Sequence, residues 1–269
     1  MSDAGHGRCT ATRLMTPIRR TLILLVFLSA ALPAAAQAPA PPPPPPRWDA
    51  QVGASFVGTS GNSETSTAGA DFSANHRGNI WKIESGATAV RSSSQEVTTA
   101  ERYLGLLRAQ RKLTAIIGLT SGIKLERDRF AGVDFRSVLD AGLSWALVRR
   151  PIWTLDGVTA LAWNHESRIG APTIDHPVGV LQLLSRIPFG TAGDTTQRFT
   201  HYPDFKESAA YRSEGEVTAQ AAMTAHLALK FGYLIQFAND PPPGFKKTDN
   251  TTTASIVVRW KAATPAPAP

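Results

Sequence analysis

Cysteine is all but missing from this chain, and the single one, Cys9, lies close to the N-terminus. That excludes a disulfide scaffold and a cysteine-ligated metal from everything downstream. Long apolar runs are missing as well. The longest, Thr21 to Leu32, falls short of the ~20 residues a membrane-crossing helix needs, and no later segment approaches that length. No lipobox cysteine follows the run, which argues against a lipid anchor. There is no Gly-x-Ser-x-Gly turn to expose a nucleophile, and histidine never recurs at a fixed metal-ligand spacing.

What is present begins with an export signal. Arg8, Arg13, Arg19 and Arg20 precede or open the apolar run, and Ala34-Ala35-Ala36 supplies a small-residue cleavage site before Gln37. Residues 1–36 therefore read as a secretory signal peptide, with Met1 and Met15 both open as the start. Removing them takes away four Arg and one Asp, so the formal net charge of +7 falls to +4. A nucleic-acid partner would want a concentrated basic face, and none is left. Residues 37–47 are a proline-dominated, extended linker, and 262–269 form a similar Pro/Ala tail.

Between these, residues 48–261 alternate. Leu113, Ala115, Ile117, Leu119, Ile123 and Leu125 share one parity, with Thr120, Gly122, Lys124 and Glu126 on the other. After the connector Arg127–Gly132, the run of Val133, Phe135, Leu139, Ala141, Leu143, Trp145 and Leu147 opposes Asp134, Arg136, Asp140 and Ser144. A period of two over a dozen residues is a strand with one apolar and one polar face. The pattern is also clear in Ala68–Ala74, in Trp81–Ala89 and in Leu227–Phe237. It blurs at Leu104 and Leu106, and between Pro177 and Tyr211, where strands are expected only around 178–187 and 195–202. The total is about twelve strands.

A soluble sandwich would bury the apolar parity, whereas a membrane barrel would turn it toward lipid and keep the polar parity in the lumen. Strand length favours the barrel, because twelve to fourteen residues at ~3.3 Å and ~40° tilt rise about 30 Å. The apolar parity carries no charge through the middle of the clear strands, and aromatics gather toward their ends. Connections alternate in length. The longer set is expected near 60–63, 91–96, 127–132, 165–175, 203–212 and 240–248, and the tighter set near 77–79, 110–111, 148–151, 190–194 and 224–226. The chain is thus expected to be all-β, a transmembrane antiparallel up-and-down barrel.

On that parity Asp71, Lys82, Glu84, Arg102, Arg108, Lys124, Glu126, Asp134, Arg136, Asp140, Asp156, Lys230 and Arg259 line the lumen. Signs are mixed, so the side chains either pair across the lumen and fill it or leave a narrow hydrated path. Arg127, Asp128 and Arg129 form an outer-loop cluster from which Arg129 or Asp128 is expected to reach inward, toward a charge such as Arg136 or Asp140. A lipid hydrolase would draw on His165, His176 or His201 near the outer loops. A loop metal would draw on His165-Glu166 and Asp175-His176, and a lipid-bridging cation on Asp128, Asp134, Glu166 and Asp175. No spacing supports either, so catalytic residues, metal sites and cofactors are expected to be none.

Three stretches also look familiar: Thr59-Ser60-Gly61-Asn62-Ser63-Glu64-Thr65, Glu126-Arg127-Asp128-Arg129-Phe130-Ala131-Gly132, and Pro241-Pro242-Pro243-Gly244-Phe245-Lys246-Lys247-Thr248-Asp249. In that order they resemble the YdiY-like family of salt-induced outer-membrane proteins over about residues 48–261. The chain departs from such barrels in its end, since Lys261 and eight further residues follow Trp260. The resemblance implies outer-membrane placement and a link to salt or osmotic stress, and no catalytic residues. The expected protein is therefore a non-catalytic, monomeric outer-membrane barrel reached by Sec-type export. Its expected partners are outer-membrane lipid, lipopolysaccharide and the barrel assembly machinery. A narrow channel for small solutes is the alternative, and an outer-membrane lipid hydrolase a third.

Overall fold

The computed structural model describes residues 48–59, 65–190 and 192–261. The expected signal peptide, linker and tail, and the centre of the first-hairpin motif, lie outside them. Twelve strands follow one another: β1 (Trp48–Thr59), β2 (Thr65–Arg77), β3 (Trp81–Ser94), β4 (Val97–Lys112), β5 (Ile117–Asp128) and β6 (Val133–Arg150), then β7 (Trp153–Arg168), β8 (Ile174–Phe189), β9 (Gly193–Tyr202), β10 (Arg212–Ala222), β11 (Leu227–Ala238) and β12 (Thr248–Lys261). Each pairs antiparallel with its chain neighbours, and β1 pairs with β12 from Asp49↔Lys261 to Ala54↔Ile256. The sheet is a closed barrel.

Its surface is inside out relative to a water-soluble fold. Phe56 is 74% exposed, Leu161 68% and Leu139 58%, while Glu126 on the opposite parity is 2% exposed. Burying apolar surface stabilises by roughly 25 cal/mol per Å², and a wall of such residues facing outward is stable only against hydrocarbon. The barrel is of the transmembrane type. Trp48, Trp81, Trp153 and Trp260 mark one belt at the end where β1 begins and β12 finishes, as interfacial indoles do. Leu161→Arg, at the centre of β7 facing outward, should therefore cost about 2–4 kcal/mol. Denaturant unfolding of lipid-reconstituted protein measures it, and a Leu161→Phe control should stay within about 1 kcal/mol.

Several boundaries differ from the sequence expectation. β4 continues to Lys112, so the turn placed at 110–111 lies at 113–116, where Thr114 Oγ1 accepts from the Ile117 N–H at 2.9 Å. The connection expected at 91–96 shrinks to Gln95-Glu96, both at positive φ (50° and 63°), the backbone of a two-residue hairpin turn. The fourth long connection is only 169–173, because β7 and β8 run further than their alternation suggests.

The blurred stretch has a physical cause. On β8 the outward Leu181, Leu183 and Ile187 are apolar, and so are the inward Val178 and Val180. With Val138, Ala162 and Tyr202 these valines form an apolar cluster inside the barrel. A strand greasy on both faces loses its period of two.

Candidate functional site: a charged plug across the lumen

The inward parity converges on Glu126. Its Oε1 accepts from Arg102 Nε and Nη2 at 3.2 and 2.8 Å, and from Gln236 Nε2 at 3.1 Å. Its Oε2 accepts from Arg136 Nη1 at 3.0 Å, with Lys124 Nζ at 3.7 Å. Arg136 Nε donates on to Glu166 Oε2 at 2.7 Å, and Lys124 Nζ reaches both oxygens of Glu214 at 2.5 and 2.7 Å. Two of these contacts cross the lumen. Gln236 on β11 stands six strands from Glu126 on β5, which is diametrically opposite, and Glu214 on β10 stands five strands from Lys124. Tyr202 fills the space between, with Lys124 Nζ 5.6 Å and the Arg212 guanidinium 4.7 Å from its ring centroid. Cations over an aromatic face add attraction where water is excluded.

A second tier lies nearer the terminal end. Arg108 Nη1 and Nη2 hold Asp140 bidentately at 2.9 and 2.7 Å, and Nη1 also donates to Thr120 Oγ1 at 3.1 Å. Arg108 and Asp140 sit on β4 and β6, with β5 between them. Gly122 occupies the crossing, and a Cβ there would meet Arg108 Cζ and Nη2 at 3.0 Å and Asp140 Oδ2 at 3.1 Å. Asp71 leans over Gly53 in the same manner, to Lys230 Nζ at 3.2 Å and Ser255 Oγ at 3.5 Å. Lys82 pairs Glu84 at 2.9 Å, Arg149 pairs Asp156, and Arg259 donates to the Thr224 carbonyl at 3.4 Å.

Above the plug the loops form a roof. Asp128 Oδ1 accepts from the Ala131 N–H at 3.1 Å and caps the 3-10 turn Arg129–Ala131, which Gly132 ends at φ 78°. A Cβ on Gly132 would meet Pro242 Cγ at 2.8 Å and Phe245 Cδ2 at 2.9 Å. The central and closing sequence motifs, more than a hundred residues apart, thus touch each other over the barrel mouth. The loop after β9 is tied down by Asp204, whose Oδ1 accepts from the N–H groups of Lys206 and Glu207 and whose Oδ2 lies 3.2 Å from His176 Nε2. Between roof and plug remains a cavity of about 30 Å³ bordered by Arg136, Asn164, Tyr202, Arg212 and Pro242, room for about one water.

One expectation is corrected. Asp134 does not face the lumen: β6 is irregular between Val133 and Phe135, and the extra residue turns Asp134 outward, half-exposed, to Arg127 Nη2 at 3.4 Å. From the outer-loop cluster, Asp128 reaches in to one of the lumen charges, Arg102, at 3.5 Å from its Nε, while Arg129 is exposed. The histidine sets do not converge. His165 and Asp175 face outward 3.6 Å apart, whereas Glu166 and His176 face inward. His201 Nδ1 lies 2.9 Å from Ser213 Oγ, and no carboxylate forms a salt bridge with His201 among the described residues. The same residues hold no group of three or more His, Asp or Glu placed for a metal.

The expected lumen residues omitted Glu166, Arg212, Glu214 and Gln236. Glu214 and Gln236 lay on readable parity, opposite Val217 and Phe237. Glu166 and Arg212 stand at strand ends whose sequence reads as loop, near 165–175 and 203–212.

A model of a protein family of unknown function, DUF481, matches residues 52–260. No curated protein matches the chain in sequence. Among solved structures, an outer membrane channel described as COG4313 from Pseudomonas putida F1 is similar at 14% identity and a TM-score of 0.48, covering 81% of this chain and 96% of that one. The NanC porin is similar at 13% identity and a TM-score of 0.44, covering 79% and 97%. The KdgM porin is similar at 10% identity and a TM-score of 0.37, covering 80% and 99%. At these values the likeness is one of barrel architecture and says nothing of cargo.

Proposed function

We propose that this chain, which belongs to the DUF481 family of unknown function, is a non-catalytic β-barrel of the bacterial outer membrane whose lumen is closed at rest. The observation that carries the reading is the plug. Gln236 and Glu214 reach across from β11 and β10 to Glu126 and Lys124 on β5, with Tyr202 between them. Each charged partner there is desolvated and satisfied, the condition under which a buried ion pair holds its geometry. The apolar outer wall and the Trp belt support membrane placement, and the paired ends of β1 and β12 put both termini of the barrel on one side, expected to be the periplasm.

Envelope adaptation to salt or osmotic load belongs to the same reading, with lipid as the surrounding partner, assembly machinery as the transient one, and a monomer as the working unit. Support comes from the family resemblance and from a closure built wholly of side chains, which needs no separate plug domain. Heat-modifiable migration and outer-membrane fractionation check placement. In planar bilayers the wild-type protein should give no stepwise conductance at modest voltage. Regular ohmic steps from well-folded wild type would instead establish the narrow channel.

A further inference from the structure

The outer wall is not uniformly studded with large side chains. Across β5 to β7, neighbouring strands set bulky residues side by side, as in the row Ile123↔Leu139↔Trp163. Across β2 to β5 the corresponding row is Phe72↔Ala87↔Gly105↔Leu125, and the next is Ala70↔Ala89↔Tyr103↔Arg127. The result is a groove of about 550 Å³ in the loop-end half of the wall. Ala87, Ala89 and Gly105 make its floor, and Phe72, Tyr103 and Leu125 its sides. Its size falls within the range of ligand-sized clefts, and it opens toward the membrane, where hydrocarbon chains are the solvent.

The loop end of this groove is polar. Arg127, a groove-lining residue, is about half-exposed and makes one contact, Nη2 to Asp134 at 3.4 Å. Arg91, the next outward residue beyond Ala89 on β3, is exposed and donates to Thr98 Oγ1 at 3.3 Å. Glu101 stands opposite Arg91 in the register, without an ion pair to it. A guanidinium carries five donors, so each arginine keeps most of its fork free beside its acidic neighbour, and that fork matches a phosphate.

We infer that this groove holds one acyl chain of the outer-leaflet lipopolysaccharide, with a phosphate of its headgroup on Arg91 and Arg127. The inference rests on the outer-membrane reading, which places the loop end in the outer leaflet. An apolar channel beneath two forked cations fits a phosphate-bearing lipid, and the leaflet assigns it to the glycolipid.

Native mass spectrometry of protein extracted from outer membranes in mild detergent tests it. One lipopolysaccharide molecule should be retained on the wild-type barrel. Ala87→Leu with Ala89→Leu fills the groove with side chains that lipid tolerates, and should lower retention at least fivefold. Arg91→Ala with Arg127→Ala should lower it as well, and both variants should keep heat-modifiable migration. No retained lipid, retained phospholipid instead, or equal retention by the groove-filled variant would overturn the site, the last pointing to an annular coat only. Failure of the outer-membrane reading would appear separately, as protein that fractionates away from the outer membrane before extraction.

Discussion

Glu126→Ala is expected to lower barrel stability by about 3–5 kcal/mol, the cost of stripping a buried charge from its partners. Glu126 is 2% exposed and accepts from Arg102, Arg136 and Gln236 at once. Without it, three cations from β4, β5 and β6 face one another with only Glu166, Glu214 and Asp128 left nearby. Water must enter to solvate them, and entry along the lumen means conductance. The variant should therefore combine a lower unfolding midpoint in denaturant with ion steps in bilayers that wild type is expected to lack. Glu126→Gln keeps one acceptor oxygen and should fall between the two. If Glu126→Ala stays silent and equally stable, Glu126 is not the hub.

Gly122→Val should be of similar size through a different cause. Position 122 carries no side chain; it leaves an opening on the inner face of β5 through which Arg108 reaches Asp140. A valine closes the opening and leaves two residues, 6% and 4% exposed, unpaired. Loss of about 3–5 kcal/mol is expected. The cause can be isolated by a double-mutant cycle. With Arg108→Met and Asp140→Leu already in place, the pair no longer needs the passage, and the added cost of Gly122→Val should drop below about 1 kcal/mol. A full cost in that background would mean that the glycine serves the backbone rather than the ion pair.

Parity carried most of the fold. It located the outward Leu, Val and Trp rows and the inward charges wherever the two faces of a strand meet different media. It failed on β8, where Val178 and Val180 face a dry patch of the interior and both faces are apolar. It failed at Asp134 for a different reason, since one extra residue in an irregular pairing reverses every assignment on one side of it. The loop ends were hardest to see. Glu166 and Arg212 sit in strands that extend past the membrane-facing alternation, held by partners many residues away. The plug itself was out of reach of any local pattern, because Gln236 and Glu126 lie 110 residues apart in the chain. Sequence supplied charges of both signs on one face, and only closure of the barrel decides which of them meet.

A hollow cylinder squeezed from the side yields by becoming oval, because its wall bends easily while its circumference stays fixed. The contact from Glu126 to Gln236 runs along a diameter and that from Lys124 to Glu214 close to one, so they act as spokes that flattening must shorten or stretch. Lateral pressure from the surrounding bilayer is thereby conveyed to a handful of charged side chains at the barrel's centre. The side chains that cross the lumen also set how stiff the barrel is in the plane of the membrane.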